Sequence, residues 1–222
     1  RVIQQPLREY SAPQGNNPLW STQWLERRGV VGMYTVSNTG TAATREWRGG
    51  ARVANTMWTM PIAPLGTSAT FEEFEEKGIT DGASAQWLLD LQSFVVNNRT
   101  NRLFYNHPPG ARGHLNVVKT FVNRAENLKN WGRFNWYTMA QIADFSQRRI
   151  QTTWSSSNYY GYSRFTASNP QSLTDVTWLL PRSRYGYPYI LSGWATVDVY
   201  DDTNWIVTAR GGTNLSFKAY NR

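Results

Sequence analysis

Apolar residues in the first 150 positions fall into short blocks with two different spacings. Val30-Val31-Gly32-Met33-Tyr34-Thr35-Val36 is a continuous run of strand length, and Ala54 to Ile62 is another, ending around Pro61. Such runs, bounded by polar punctuation, read as strands buried on both faces. Elsewhere the apolar residues recur every three or four positions. Trp87, Leu88, Leu91 and Val95 form one stripe in a helix expected over Ala83 to Asn98, and Leu115, Val118, Val122, Ala125 and Leu128 form another in His114 to Trp131.

Local signals mark where elements start and stop. Val2-Ile3 through Tyr10 predicts a short strand, closed by the turn cluster Ser11-Ala12-Pro13-Gln14-Gly15. Asn17-Pro18 predicts a helix start, with Asn as cap and Pro at the first helical position, running to Arg28 and stopping at Gly29. Ser37 to Gly50 reads as a polar loop, and Thr70-Phe71-Glu72-Glu73 as a capping box. Arg102 to Asn106 predicts a strand that runs into His107-Pro108-Pro109-Gly110. Gly132 closes the preceding helix, and Arg133 to Tyr137 predicts a last strand, followed by a helix capped by Thr138 and Gln141 that ends at Arg148-Arg149. Four strand–helix units in succession predict an α/β fold, a partial (β/α) barrel of parallel strands over residues 1–149.

From Gln151 the period becomes two. Thr152 to Trp154, Tyr159 to Ala167, Val176 to Leu180, Ala195 to Tyr200, Trp205 to Ala209 and Leu215 to Tyr220 predict short strands. Asp201-Asp202-Thr203-Asn204 and Arg210-Gly211-Gly212-Thr213 predict the turns between them. Residues 150–222 are therefore expected to form a small antiparallel β-sandwich.

Composition narrows the function classes. There is no Cys, which excludes disulfides and thiolate metal sites. No apolar run is long enough for a membrane-spanning helix. The chain opens Arg1-Val2-Ile3 rather than with Met, so a missing N-terminal part is expected. The 23 Lys and Arg against 15 Asp and Glu give a net charge of +8, but no basic run occurs, so no nucleic-acid partner is expected. The 11 Trp and 12 Tyr, with abundant Asn, Ser and Thr, suit a protein that handles sugar, outside the cytoplasm: secreted, periplasmic or at the cell surface.

In parallel α/β folds the working residues sit where strands end. His107 lies at such an end, held by Pro108-Pro109, where an imidazole can exchange a proton near neutral pH. Trp58, Tyr105 and Trp136 lie at or near expected strand ends and are candidates to stack on sugar rings, with Asn106 to bond hydroxyls. His114 is read as a solvent-facing cap residue, Glu72 and Glu75 as helix N-terminal charges, and Glu9 as a surface residue. No pair of carboxylates is placed for glycoside hydrolysis.

The stretch Arg102-Leu-Phe-Tyr-Asn-His-Pro-Pro-Gly110, with Gly132-Arg-Phe-Asn-Trp-Tyr-Thr-Met-Ala-Gln-Ile-Ala-Asp-Phe145 beyond the next helix, resembles the closing half of bacterial polysaccharide deacetylases, the NodB-like carbohydrate esterases. Glu9-Tyr-Ser-Ala-Pro-Gln-Gly15 resembles that family's third motif and adds Ser11 and Pro13 to the candidate substrate residues. The resemblance implies hydrolysis of N- or O-acetyl groups on a polysaccharide by a distorted (β/α) barrel holding a divalent metal, usually zinc. It also implies that His107 is the general acid. The family's base, metal-binding aspartate and H-x-x-x-H ligands do not occur in the chain and would lie before Arg1, and Ser11 stands where the family usually has Arg. The chain is therefore expected to bind no metal alone, as part of a larger enzyme or as a binding-only relative. The alternative function is a non-catalytic glycan-binding or cell-surface module, with Trp178 or Trp205 as a candidate sugar contact and at least one of the two expected in the core.

Overall fold

The computed structural model describes residues 6–12, 17–36 and 42–222. Its contacts group into two units, Arg1–Ala143 and Asp144–Arg222. The first contains β1 (Glu9–Tyr10), α1 (Leu19–Arg27), β2 (Gly32–Val36), β3 (Thr44–Arg45), β4 (Trp47–Arg48), β5 (Ala51–Arg52) and β6 (Trp58–Ile62). It continues with α2 (Phe71–Glu76), α3 (Asp81–Asn97), α4 (Pro108–Gly113), α5 (Leu115–Asn130) and α6 (Met139–Gln151), which extends past Ala143.

Helices dominate this unit, around a short mixed sheet of order β1-β2-β6-β3. β1 with β2 and β2 with β6 pair in parallel, while β3 joins β6 antiparallel. Leu103 adds a parallel bridge to Ile62. The general α/β character follows the expectation, but among the described residues the parallel part is limited to three neighbouring strands and this bridge. The connection from β2 to β6 holds β3 and the β4–β5 hairpin where a polar loop is predicted.

Two predicted strands are absent. Over Arg102 to Asn106 only Leu103 enters the ladder. Phe104 instead packs edge-on to Phe71 and Trp87, while Tyr105 stacks on Tyr34. Arg133 to Tyr137 forms no strand, because Phe134 and Trp136 pack on each other and Trp136 packs on Phe121 of α5. In the first segment Phe104 turns to the helices while Leu103 and Tyr105 pack on β6 and β2, and in the second the apolar residues serve contacts with α5 and with each other.

The capped helices follow the local signals. Thr70 and Glu73 make both halves of the capping box on α2. Thr138 and Gln141 do the same for α6, at 2.8 and 3.2 Å. Asn17 does not cap α1; its amide turns inward to the Thr22 hydroxyl at 2.8 Å, and Pro18 takes the cap position. On α5 the buried residues are Val117, Ala125 and Leu128, whereas Leu115 and Val122 are exposed. That face is set by α3, where Gln92 donates to the Phe121 carbonyl and Arg124 to the Leu89 carbonyl. Phe71, Phe74, Leu88 and Val117 form the core between these helices.

The second unit is a single curled antiparallel sheet rather than a sandwich. Its strands are β7 (Thr153–Tyr159), β8 (Tyr162–Ser168), β9 (Thr177–Pro181), β10 (Tyr189–Val199) and β11 (Asn204–Tyr220), in the order β10-β11-β8-β7 with β9 also on β11. Arg210 to Thr213 is not a turn, because β11 runs through it for 17 residues. One edge of β11 pairs first with β9 and then with β8, while β10 follows the other edge. This sharing curls the sheet into a half-barrel. Gly212, at φ +75°, and the register shifts between Ile190 and Ala195 on β10 absorb the bend. Phe165, Leu173, Leu180, Val207, Leu215 and Phe217 fill the concave side, and Trp178 and Trp205 pack against them. Among the described residues no helix is long and apolar enough to cross a membrane.

Candidate functional site

Parallel pairing brings the C-terminal ends of β1, β2 and β6 and the segment after Leu103 to one edge of the first unit's sheet. Ser11, Tyr34, Tyr105, Asn106 and His107 meet there. Tyr34 and Tyr105 stack with ring centroids 4.8 Å apart, and the Tyr34 hydroxyl donates to the Ala12 carbonyl at 3.2 Å. The hydrogen bond with Tyr34 raises the Tyr105 phenol above its ordinary value; burial adds to this, and a hydrogen bond with Ser11 opposes it. Tyr105 is therefore a neutral phenol at physiological pH.

His107 is the N-cap residue of α4, with Pro108 and Pro109 opening the helix. The fixed φ of proline suits a first helical turn, so the imidazole stands on a rigid hinge. Its side chain is 52% exposed. Nδ1 lies 3.4 Å from Glu72 Oε2, and the ring sits edge-on to Tyr105 at 5.2 Å. Two contacts thus orient the imidazole and leave Nε2 as the nitrogen available to a substrate.

Glu72 belongs to α2, yet it works on α4. Its Oε1 accepts the Gly110 backbone N–H at 3.1 Å, completing the cap that His107 does not make with its own side chain. A Cβ on Gly110 would lie 2.7 Å from this carboxylate, so the close approach requires glycine. Asn106 completes the junction. Its Oδ1 accepts the His107 amide at 2.9 Å and the Phe71 amide at 3.3 Å.

Burial alone would raise the Glu72 carboxyl, but hydrogen bonds with its own backbone amide, His107 and Thr70 outweigh burial and hold it below the ordinary carboxylate range. A carboxyl with a lowered folded value contributes stability above its unfolded value, near 4.5, and loses it as pH falls through the lowered one. Glu72→Gln is therefore expected to melt below the parent at neutral pH, with the gap closing as pH drops below 4.5. Thermal melts of both proteins from neutral to acidic pH test this. A gap independent of pH would show that the Glu72 charge contributes nothing to the α2–α4 junction.

Four of the candidate residues are thus brought together: Ser11, Tyr105, Asn106 and His107. Trp58 is not among them. It is 6% exposed, packed with Met60 and Ala143, and covered by the Arg45 guanidinium 4.3 Å from its ring. No sugar can stack on it, because β6 is a central strand buried along its whole length. Trp136 is 45% exposed, but its partners are Phe121, Phe134 and Glu126, whose Oε1 accepts the indole N–H at 2.7 Å. Pro13 lies outside the described residues.

Sequence reasoning passed over Tyr34 and Glu72. The available signal for Glu72 was that the capping box uses only Glu73, leaving its neighbour free to reach another element. Glu9 is not a plain surface residue, since it accepts the Ala140 amide of α6 at 2.8 Å. Nor does His114 face solvent. It is buried, stacked on Phe71 at 4.6 Å, with Nδ1 2.5 Å from Asp81 and Nε2 3.0 Å from Glu75. This group ties α2, α3 and α5 to one another and is read as structural.

Among the described residues no group of three or more His, Asp or Glu side chains could hold a metal ion. No protein-family model, curated protein or solved structure matches the chain.

Proposed function

We propose that residues 1–149 are the closing part of a (β/α)-barrel polysaccharide deacetylase and that His107 is its proton donor. The supporting observation is the half-exposed imidazole on a proline hinge at the strand-end edge, oriented through Nδ1 by Glu72. In deacetylation the bond from the acetyl carbon to the sugar oxygen or nitrogen breaks with its electron pair on the sugar atom. Nε2–H supplies the proton that neutralises that leaving atom. Neutral Tyr105, edge-on to the imidazole, and Ser11, hydrogen-bonded to Tyr105, offer hydroxyl groups to the sugar, whereas the Asn106 carbonyl is engaged by the His107 and Phe71 amides.

On this reading the metal and the base belong to segments outside residues 1–222, and the role of this chain is to hold sugar and move a proton. The substrate is an extracellular or cell-wall polysaccharide, which puts the protein in the secreted, periplasmic or cell-surface space. The test is acetate release from acetylated chito- and xylo-oligosaccharides by the natural protein that contains these residues, supplied with zinc. Release is expected from at least one series. No release from either overturns the reading.

A further inference from the structure

In antiparallel pairing, residues directly opposite one another share a face of the sheet. On the convex face of the second unit, Ser192 of β10, Ser216 of β11, Thr166 of β8 and Ser155 of β7 stand in line across four strands. Asn214, Ser168 and Thr153 make a second row beside them. Hydroxyls join across strands, Ser155 with Thr166 at 2.9 Å and Thr153 with Ser168 at 2.8 Å. These two rows line an open depression of about 410 Å³, within the range of small-ligand sites.

In the other direction the face turns cationic and then aromatic. Tyr189, Lys218, Arg164 and Ser157 form the next row, and Tyr220, Tyr162 and Tyr159 the one beyond. Tyr159 stacks on Tyr162 at 4.9 Å, Tyr162 meets Tyr220 edge-on at 6.3 Å, and Tyr220 meets Tyr189 at 6.0 Å. A half-exposed tyrosine ridge therefore crosses the sheet. Arg164 donates to the Ser216 hydroxyl at 3.0 Å, and Lys218 to the Tyr220 hydroxyl at 3.1 Å. Among the described residues neither cation has a carboxylate partner, and no Asp or Glu stands in any of these rows.

We infer that this face binds a polysaccharide chain bearing carboxylates. A sheet face that only meets water interleaves both signs of charge. Here two cations, positioned by neighbouring hydroxyls, lie between a hydroxyl-lined depression and a row of phenol rings. Phenol faces match the apolar C–H faces of pyranoses, and rows of hydroxyls match their hydroxyls. The Arg and Lys match carboxylates on successive sugars. The candidate sugar contacts Trp178 and Trp205 lie elsewhere, packed on the core. The inference does not depend on the role of His107.

The test is calorimetric titration of the full chain with oligogalacturonate and with the same oligomer methyl-esterified. The acidic form is expected to bind at least about tenfold tighter. Arg164→Ala with Lys218→Ala removes that preference, and Tyr159→Ala weakens both forms. Arg182→Ala, a cation of the same unit outside these rows, changes neither. If the alanine pair lowers the melting temperature to the working range, Arg164→Gln with Lys218→Gln gives the same reading while keeping the side-chain stems. Equal affinity for the two oligomers, no effect of the double variants, or tighter binding of oligodeoxythymidylate than of oligogalacturonate overturns the inference.

Discussion

Changing His107 to glutamine is expected to slow acetate release by the natural protein by about 10²–10⁴-fold, the range for loss of a positioned general acid. The cap contact of α4 runs from the Gly110 amide to Glu72 and does not use the side chain at 107, so it is kept. The side chain is 52% exposed, so little packing is lost and the melting temperature stays within a few degrees. A second readout separates proton donation from simple positioning. An activated ester such as 4-nitrophenyl acetate has a leaving atom that needs no added proton, so the variant is expected to hydrolyse it nearly as fast as the parent. An unchanged rate of acetate release from the oligosaccharides, or equal slowing on the activated ester, would move the proton donor away from position 107.

Phe71→Ala is expected to lower the stability of the first unit by about 3–5 kcal/mol, a large share of what holds an ordinary domain together. Phe71 has no exposed surface. It packs edge-on to Phe74 at 5.8 Å and Phe104 at 5.9 Å and stacks on His114 at 4.6 Å. Removing the ring leaves a cavity on three sides and uncovers an imidazole held by two carboxylates. The Phe71 amide also donates to Asn106, so the loss reaches the His107 hinge. Urea unfolding followed by tryptophan fluorescence measures the change. Phe71→Leu, which keeps most of the volume, is expected to lose less than half as much. A loss below about 1 kcal/mol for the alanine variant would mean that α2 is not the centre of this core.

Much of what is decided within a few residues was legible in the sequence, although Asn17 turns inward instead of capping α1. The capping boxes Thr70–Glu73 and Thr138–Gln141, the Gly132 stop and the alternation of β8 all form because the partners are neighbours along the chain. Ser11 follows β1 as the local pattern predicts, but the strand expected before His107 is reduced to one bridge at Leu103. Distant pairings were not legible. The capping box leaves Glu72 free but does not say what it meets; the packing of α2 beside α4 gives it to His107, and the approach of α3 and α5 gives His114 to Asp81 and Glu75. Trp58 looked like a sugar platform because an indole at a strand end is the same residue whether or not a neighbour covers it. Arg45 covers it. Arg210-Gly-Gly-Thr213 has the composition of a turn, but β9 and β8 on one edge and β10 on the other hold it within β11 as a bend. Periodicity and capping are short-range and therefore written in the chain, whereas burial, charge pairing and the join between strands depend on which surfaces meet, and only the folded arrangement settles that.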